Sequence, residues 1–292
     1  MMSEIENPSD QSAALGIAEL EASVERSRMQ REWHARISAV LYPVSVVLGV
    51  LAIWEAGTRM LGVPLFLLPP PSAIGISLLA NASLLLFHGW VTTMEIVLGF
   101  ALSIVVGIPL ALAIFLWPVF SRSILPLLVS SQAMPKVAVA PLLLVWFGFG
   151  LLPKVLIAFL IAFFPIVINT AVGLASIEPE KIYLARSMGF GATATFFKIR
   201  LPNALPAIFG GLKISITLAV VGAVVGEFVG GDAGLGYLLM VANGSMDTQL
   251  LFAGIVALTV LGVALFLLVE LAERLAIPRH IISGDKGARE AF

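Results

Sequence analysis

Four stretches of this chain run for 18 residues or more without one charged side chain: 37–54, 96–121, 155–177 and 248–269. Leu, Ile, Val, Ala and Phe dominate all four. A helix advances about 1.5 Å per residue, so about 20 apolar residues cross the roughly 30 Å hydrocarbon layer of a bilayer. Helices buried in a soluble core are shorter, about 10–14 residues, so four such runs in one chain exclude a soluble core. Two further segments, about 123–147 and 205–229, are nearly as apolar but hold Lys136 in one and Lys213 and Glu227 in the other. The pattern predicts an all-α membrane protein with six transmembrane helices.

Charge is scarce, and its placement orients the chain. Only 12% of the 292 residues are Asp, Glu, Lys or Arg, about half the share of a soluble domain. That argues against a soluble enzyme, a disordered chain and a nucleic-acid-binding module. With no cysteine, disulfides, thiolate metal sites and cysteine nucleophiles are excluded. Six spans put residues 1–36, the 118–123 loop, the 178–204 connection and the tail from about 273 on one side. These hold 13 of the 17 Lys and Arg, whereas the other side receives Arg59 and Lys154. Basic residues gather on the cytoplasmic face, so both termini are expected in the cytoplasm. The expected domains are an N-terminal cytoplasmic tail (1–36), a six-helix region (37–275) and a C-terminal cytoplasmic tail (276–292). Residues 1–36 begin acidic and lack the apolar core of a signal peptide. Ile17, Leu20 and Val24 follow helical spacing there, which fits either an amphipathic surface helix over 12–34 or a charged tail without structure.

The connection at about 178–204 is far longer than two membrane helices need. Leu184, Ala185, Met188 and Phe190 alternate in it with Lys181, Arg186, Lys198 and Arg200. Glu178-Pro179-Glu180 is a helix start, and Gly189 and Gly191 mark an end. A short helix with an apolar face and a basic rim implies a cytoplasmic docking partner.

From Tyr183 the chain reads Tyr-Leu-Ala-Arg-Ser-Met-Gly189, then nine residues, then Ile199-Arg200-Leu201-Pro202. This resembles the EAA loop of binding-protein-dependent ABC importer permeases, E-A-A-x3-G-x9-I-x-L-P. The half from Gly189 matches at every specified position, whereas Tyr183 and Leu184 replace the Glu and the first Ala. Pro135-Lys136 to Leu142, Trp146 to Gly150, Phe164 to Thr170 and Gly234 to Tyr237 are similar to the nitrate, taurine and alkanesulfonate group. Ser131 to Lys136 and Val221 to Phe228 are more similar to the branch for thiamine pyrimidine precursors or riboflavin. The resemblance covers roughly 60–275. It implies a type I importer permease fold in a bacterial or archaeal plasma membrane, paired as a homodimer and served by an extracytoplasmic solute-binding protein. It also implies a cytoplasmic ATP-binding subunit gripping the short helix, so that Tyr183, Leu184, Ala185, Arg186, Gly189, Ile199, Leu201 and Pro202 form the coupling segment. The chain holds no Gly-Lys dipeptide and hence no P-loop. ATP and magnesium are therefore expected on the partner, and no cofactor on this chain.

Lys136, Asn169 and Glu227 are the candidate residues of the translocation path. Lys136 lies near mid-span between Pro135 and Pro141, where it would attract an anionic or hydrogen-bonding solute, pair with Glu227 or Glu95, or cap carbonyls freed at the break. Glu227, near a span end, would line the path or snorkel to the surface. Glu95, at the expected start of the second span, has a similarly plain surface role. Asn169 would line the path or stitch helices together. Gly222, Gly226 and Gly230, four apart, fit close helix packing. His34, His88 and His280 fall outside the expected spans, and no hydrolase constellation accompanies them. A gradient-driven secondary transporter is the alternative to the importer, although the internal repeats common in such folds are missing.

Overall fold

The structure is a computed structural model and describes residues 41–277. The expected tail over 1–36, its amphipathic stretch, His34, His280 and nearly all of the C-terminal tail lie outside the described residues. Those residues form two units, and every element among them is helical.

The first unit comprises the residues up to 64 together with 70–72. Its helix α1 (Leu41–Met60) is 20 residues long, enough to cross a bilayer. Near its end Glu55 pairs with Arg59 one turn later at 2.5 Å. The same carboxylate accepts from the Ser72 backbone N–H at 3.0 Å and the Ser72 hydroxyl at 2.8 Å. Ser72 stands in the first turn of α2 (Pro71–Ala80), where backbone donors have no partner within the helix.

The second unit contains residues 65–69 and those from 73 onward. In chain order its elements are α3 (Ala82–Leu116), α4 (Pro118–Ser131), a 3-10 turn (Lys136–Val139), α5 (Ala140–Phe147) and α6 (Leu151–Ala175). There follow α7 (Pro179–Ser187), α8 (Ala192–Thr195), a π turn (Phe196–Arg200), α9 (Leu201–Gly230), α10 (Leu235–Gly244) and α11 (Thr248–Ala276). The stretch Ala192–Gly230 is one 39-residue span. The six expected spans thus appear as five continuous helices and a sixth, α4 with 136–147, broken by an 86° bend. Pro135 explains the break: it has no N–H to give and disfavours helix in the residue before it. The second span begins well before the expected residue 96, at Ala82, so Glu95 sits inside α3 rather than at its start.

Small residues let α6 fit between α3 and α9. A Cβ built on Gly99 of α3 would lie 2.6 Å from the Ala158 Cβ of α6, and one built on Gly222 of α9 would lie 2.5 Å from the Ala158 Cα. Gly226 meets the Lys154 backbone at 3.0 Å in the same way. Around this seam Ile96, Ala162, Ile216, Ala219, Ala223 and Leu265 form a continuous apolar core. Between helices in lipid such close packing is the main source of association. Gly222→Val is therefore expected to cost about 1–3 kcal/mol by overpacking and to lower the monodisperse fraction after detergent extraction. Gly210→Val, with nothing within 4 Å, is the control expected to leave it unchanged.

Candidate functional site

The long connection folds as its sequence dictates. Glu178 is the N-cap of α7 and Pro179 its first helical residue. The helix stops in a paired backbone cap, the Gly189 N–H donating to the Arg186 carbonyl and the Phe190 N–H to the Ala185 carbonyl, both at 3.0 Å. That cap needs a left-handed residue, and Gly189 supplies it at φ +82°. Of the apolar side chains only Ala185 is buried, whereas Tyr183, Leu184 and Met188 are 68%, 62% and 66% exposed. Lys181 pairs with Glu178 at 3.2 Å. Past α8 the segment is tied to the membrane helices. The Arg200 guanidinium lies 5.0 Å from the Phe115 ring of α3 and donates to the Leu174 carbonyl of α6. Leu201 packs against the core of Leu174, Ala204 and Ile208. Ile199 and Pro202, half-buried, flank it.

A second assembly lies between α3, α6 and α9. Lys154, 2% exposed, donates to Glu95 of α3 at 2.9 Å, to Asp232 at 3.3 Å and to the Ala233 carbonyl at 3.3 Å. Glu95 and Glu227 are 0% and 1% exposed, and their carboxyl groups are neighbours. The Thr92 hydroxyl donates to Glu227 at 2.6 Å and accepts from the Leu235 backbone N–H at 2.7 Å. The other Glu227 oxygen accepts from the Gly236 N–H, and His88 Nδ1 accepts from the Gly234 N–H at 3.0 Å. Gly234 has φ +117°, and the Glu227 carboxylate fills the place a Cβ would take there. Three helices thereby grip the 232–236 segment at the start of α10. Asp232 lies outside the helices, and its carboxyl is held below the usual value by its own backbone N–H and by Lys154.

These positions correct four expectations. Lys154 is not a loop residue but part of the first turn of α6, and it is the partner of Glu95. Glu227 does not snorkel, since both its oxygens are engaged, although a cavity of about 380 Å³ lined by Phe149, Phe228, Tyr237 and Met240 adjoins it. His88 lies within α3, buried. Lys136 pairs with neither Glu95 nor Glu227. Its ammonium rests 4.1 Å from the centroid of the Phe164 ring. Asn169, one turn beyond Pro165, donates to the Pro165 carbonyl at 2.8 Å and packs where a Cβ on Gly211 would meet it at 2.8 Å. The three path candidates do not form one cluster: Glu227 belongs to the Lys154 assembly, Lys136 to the break after α4, and Asn169 to the α6–α9 seam. Thr92 and Asp232 were not singled out by the sequence, and His88 was given no role there. The glycine-rich 230–236 stretch was the available signal that something must approach the backbone there.

Residues 99–279 match the family described as the binding-protein-dependent transport system inner membrane component. The chain belongs to that family. Among its relatives is the riboflavin transport system permease protein RibX of Chloroflexus aurantiacus, 40% identical over 86% of this chain and 93% of RibX. The formylaminopyrimidine transport permease protein ThiX of Halalkalibacterium halodurans is 37% identical over 86% of this chain and 98% of ThiX. A chain of the MetNI methionine ABC transporter, solved in an inward-facing conformation, matches 68% of this permease and 99% of its own length with a TM-score of 0.60. At 19% identity that likeness concerns the fold alone: the type I importer permease fold expected from the coupling segment. The protein is a multi-pass ABC importer permease, and the secondary-transporter alternative is set aside on family membership.

Proposed function

We propose that this permease imports a small heteroaromatic solute of the riboflavin or pyrimidine-precursor kind. In this reading a solute-binding protein delivers it from outside and a cytoplasmic ATPase pair drives transport through a permease homodimer. The observation that carries the reading is the uncovered apolar knob of α7, Tyr183, Leu184 and Met188, rimmed by Lys181 and Arg186. Such a knob fits a groove on a partner, and the basic rim suits an acidic groove edge. The gathering of basic residues in the loops on one side supports a cytoplasmic position for α7 and both termini. The solute class comes from RibX and ThiX.

The helical stretch Ala192–Gly230 gives the mechanism a lever of about 58 Å, at about 1.5 Å per residue. Movement of α7 as ATP closes the partner would pass through Arg200 and Leu201 into α9. At the far end of α9, Glu227 holds the 232–236 segment, so both faces of the membrane answer to one rigid element. Lys136 and Asn169 line the path between them, and Glu227 is assigned to holding the segment.

The test is the energy source. Uptake of labelled riboflavin or a labelled aminopyrimidine is expected to stop on ATP depletion and to survive a proton ionophore while ATP is maintained. Uptake with the opposite pattern would overturn the ATP-driven reading.

A further inference from the structure

The break after α4, inside the bent apolar span, carries the half-buried ammonium of Lys136. The described carboxylates near membrane charges are committed elsewhere: Glu95 and Asp232 to Lys154, and Glu273 to Lys213. Lys136 makes no ion pair among the described residues, and its recorded contact is the face of Phe164. Attraction to a ring face is smaller than the cost of an ammonium in hydrocarbon, so Phe164 props the side chain without neutralising it. The end of α4 and its cap carry Ser130, Ser131 and Gln132, all exposed. The Ser131 hydroxyl donates to the Leu128 carbonyl at 2.7 Å, whereas the Ser130 hydroxyl and the Gln132 amide, turned to lipid, would lose their hydrogen bonds to water. Irregular backbone is likewise tolerated at this depth only where it is buried in protein or lines a water-filled space. Charge, polar side chains and broken backbone therefore coincide on one short stretch, 130–136.

We propose that this stretch lines the aqueous path and that Lys136, held on Phe164, selects solutes that present an electron-rich oxygen to its ammonium. A ring carbonyl of a heteroaromatic solute accepts one of its N–H bonds, and cationic solutes are repelled. The selection rests on the permease reading but not on the identity of the cargo.

The chain's lack of cysteine makes the test clean. Ser131→Cys is introduced into the full chain, assembled with its ATPase, and exposed in membranes to two water-soluble methanethiosulfonates, one bearing a sulfonate and one a trimethylammonium. The sulfonate reagent is expected to react faster by about tenfold, the effect of one nearby unscreened charge. Lys136→Gln should bring the ratio near one, while Lys136→Arg should keep it. Failure of both reagents at position 131, with a neutral permeant maleimide reacting, would put the break against protein or lipid and overturn the proposal. A ratio unmoved by Lys136→Gln would also overturn it. Absence of riboflavin or pyrimidine uptake by the unaltered complex would sink the cargo assignment and leave the reagent ratio standing.

Discussion

Replacing Lys154 by methionine is expected to cost the protein about 3–5 kcal/mol, the penalty for removing one partner of a buried ion pair. The unaltered cluster sets one ammonium against two carboxyl groups that are 0% and 1% exposed. Methionine fills a similar volume but leaves Glu95 and Glu227 side by side without a counter-charge. Lys154 also holds the Ala233 carbonyl, so the 232–236 segment would loosen with it. The yield of monodisperse protein after extraction and its thermal aggregation midpoint should both fall sharply. Adding Glu95→Gln to Lys154→Met should recover part of the loss, because it removes one of the two buried carboxyl groups left without a counter-charge. Asp232→Asn should change little, about 1 kcal/mol at most, since the Asp232 side chain is 85% exposed and water screens its share of the pair. A Lys154→Met protein as stable as its parent would show that the cluster does not support the fold.

That cluster also explains where the sequence misled. A rule that counts charge-free residues treats every charge as a boundary. It therefore started the fourth span at 155, just past Lys154, and the second at 96, just past Glu95. The two charges lie 59 residues apart and cancel inside the protein, and no linear pattern announces that cancellation. Discounting a possible Glu–Lys pair would have restored both helix starts. By contrast, α7 was legible to the residue. Its start follows from Glu178-Pro179 and its end from Gly189, and both are local backbone chemistry. The break at Pro135 was legible for the same reason. The partner of Lys136 was not, because a ring reached from another helix leaves no signature next to the lysine. Close packing against α9 could be read from Gly222, Gly226 and Gly230, although not that the first two would meet α6 and the third Leu144 of α5.

The second large effect is expected at α7. Leu184→Asp puts a charge at the centre of the exposed knob, and central interface residues of this kind carry about 2–4 kcal/mol. Loss of the proposed ATPase from the purified complex, and a fall in uptake of about 30-fold or more, should follow. Insertion should be unaffected, because Leu184 is 62% exposed and belongs to no span. Gly189 separates contact from shape. Its φ of +82° strains any β-branched residue, whereas asparagine tolerates that region. Gly189→Val should unwind the cap that turns the chain from α7 toward α8 and should lose the ATPase, while Gly189→Asn should keep most of it. If valine and asparagine were equally damaging, the glycine would be needed because the partner lies against its bare backbone. If Leu184→Asp kept the ATPase and coupled uptake, α7 would not be the gripping element, and the connection through Arg200 into α9 would lose its driver.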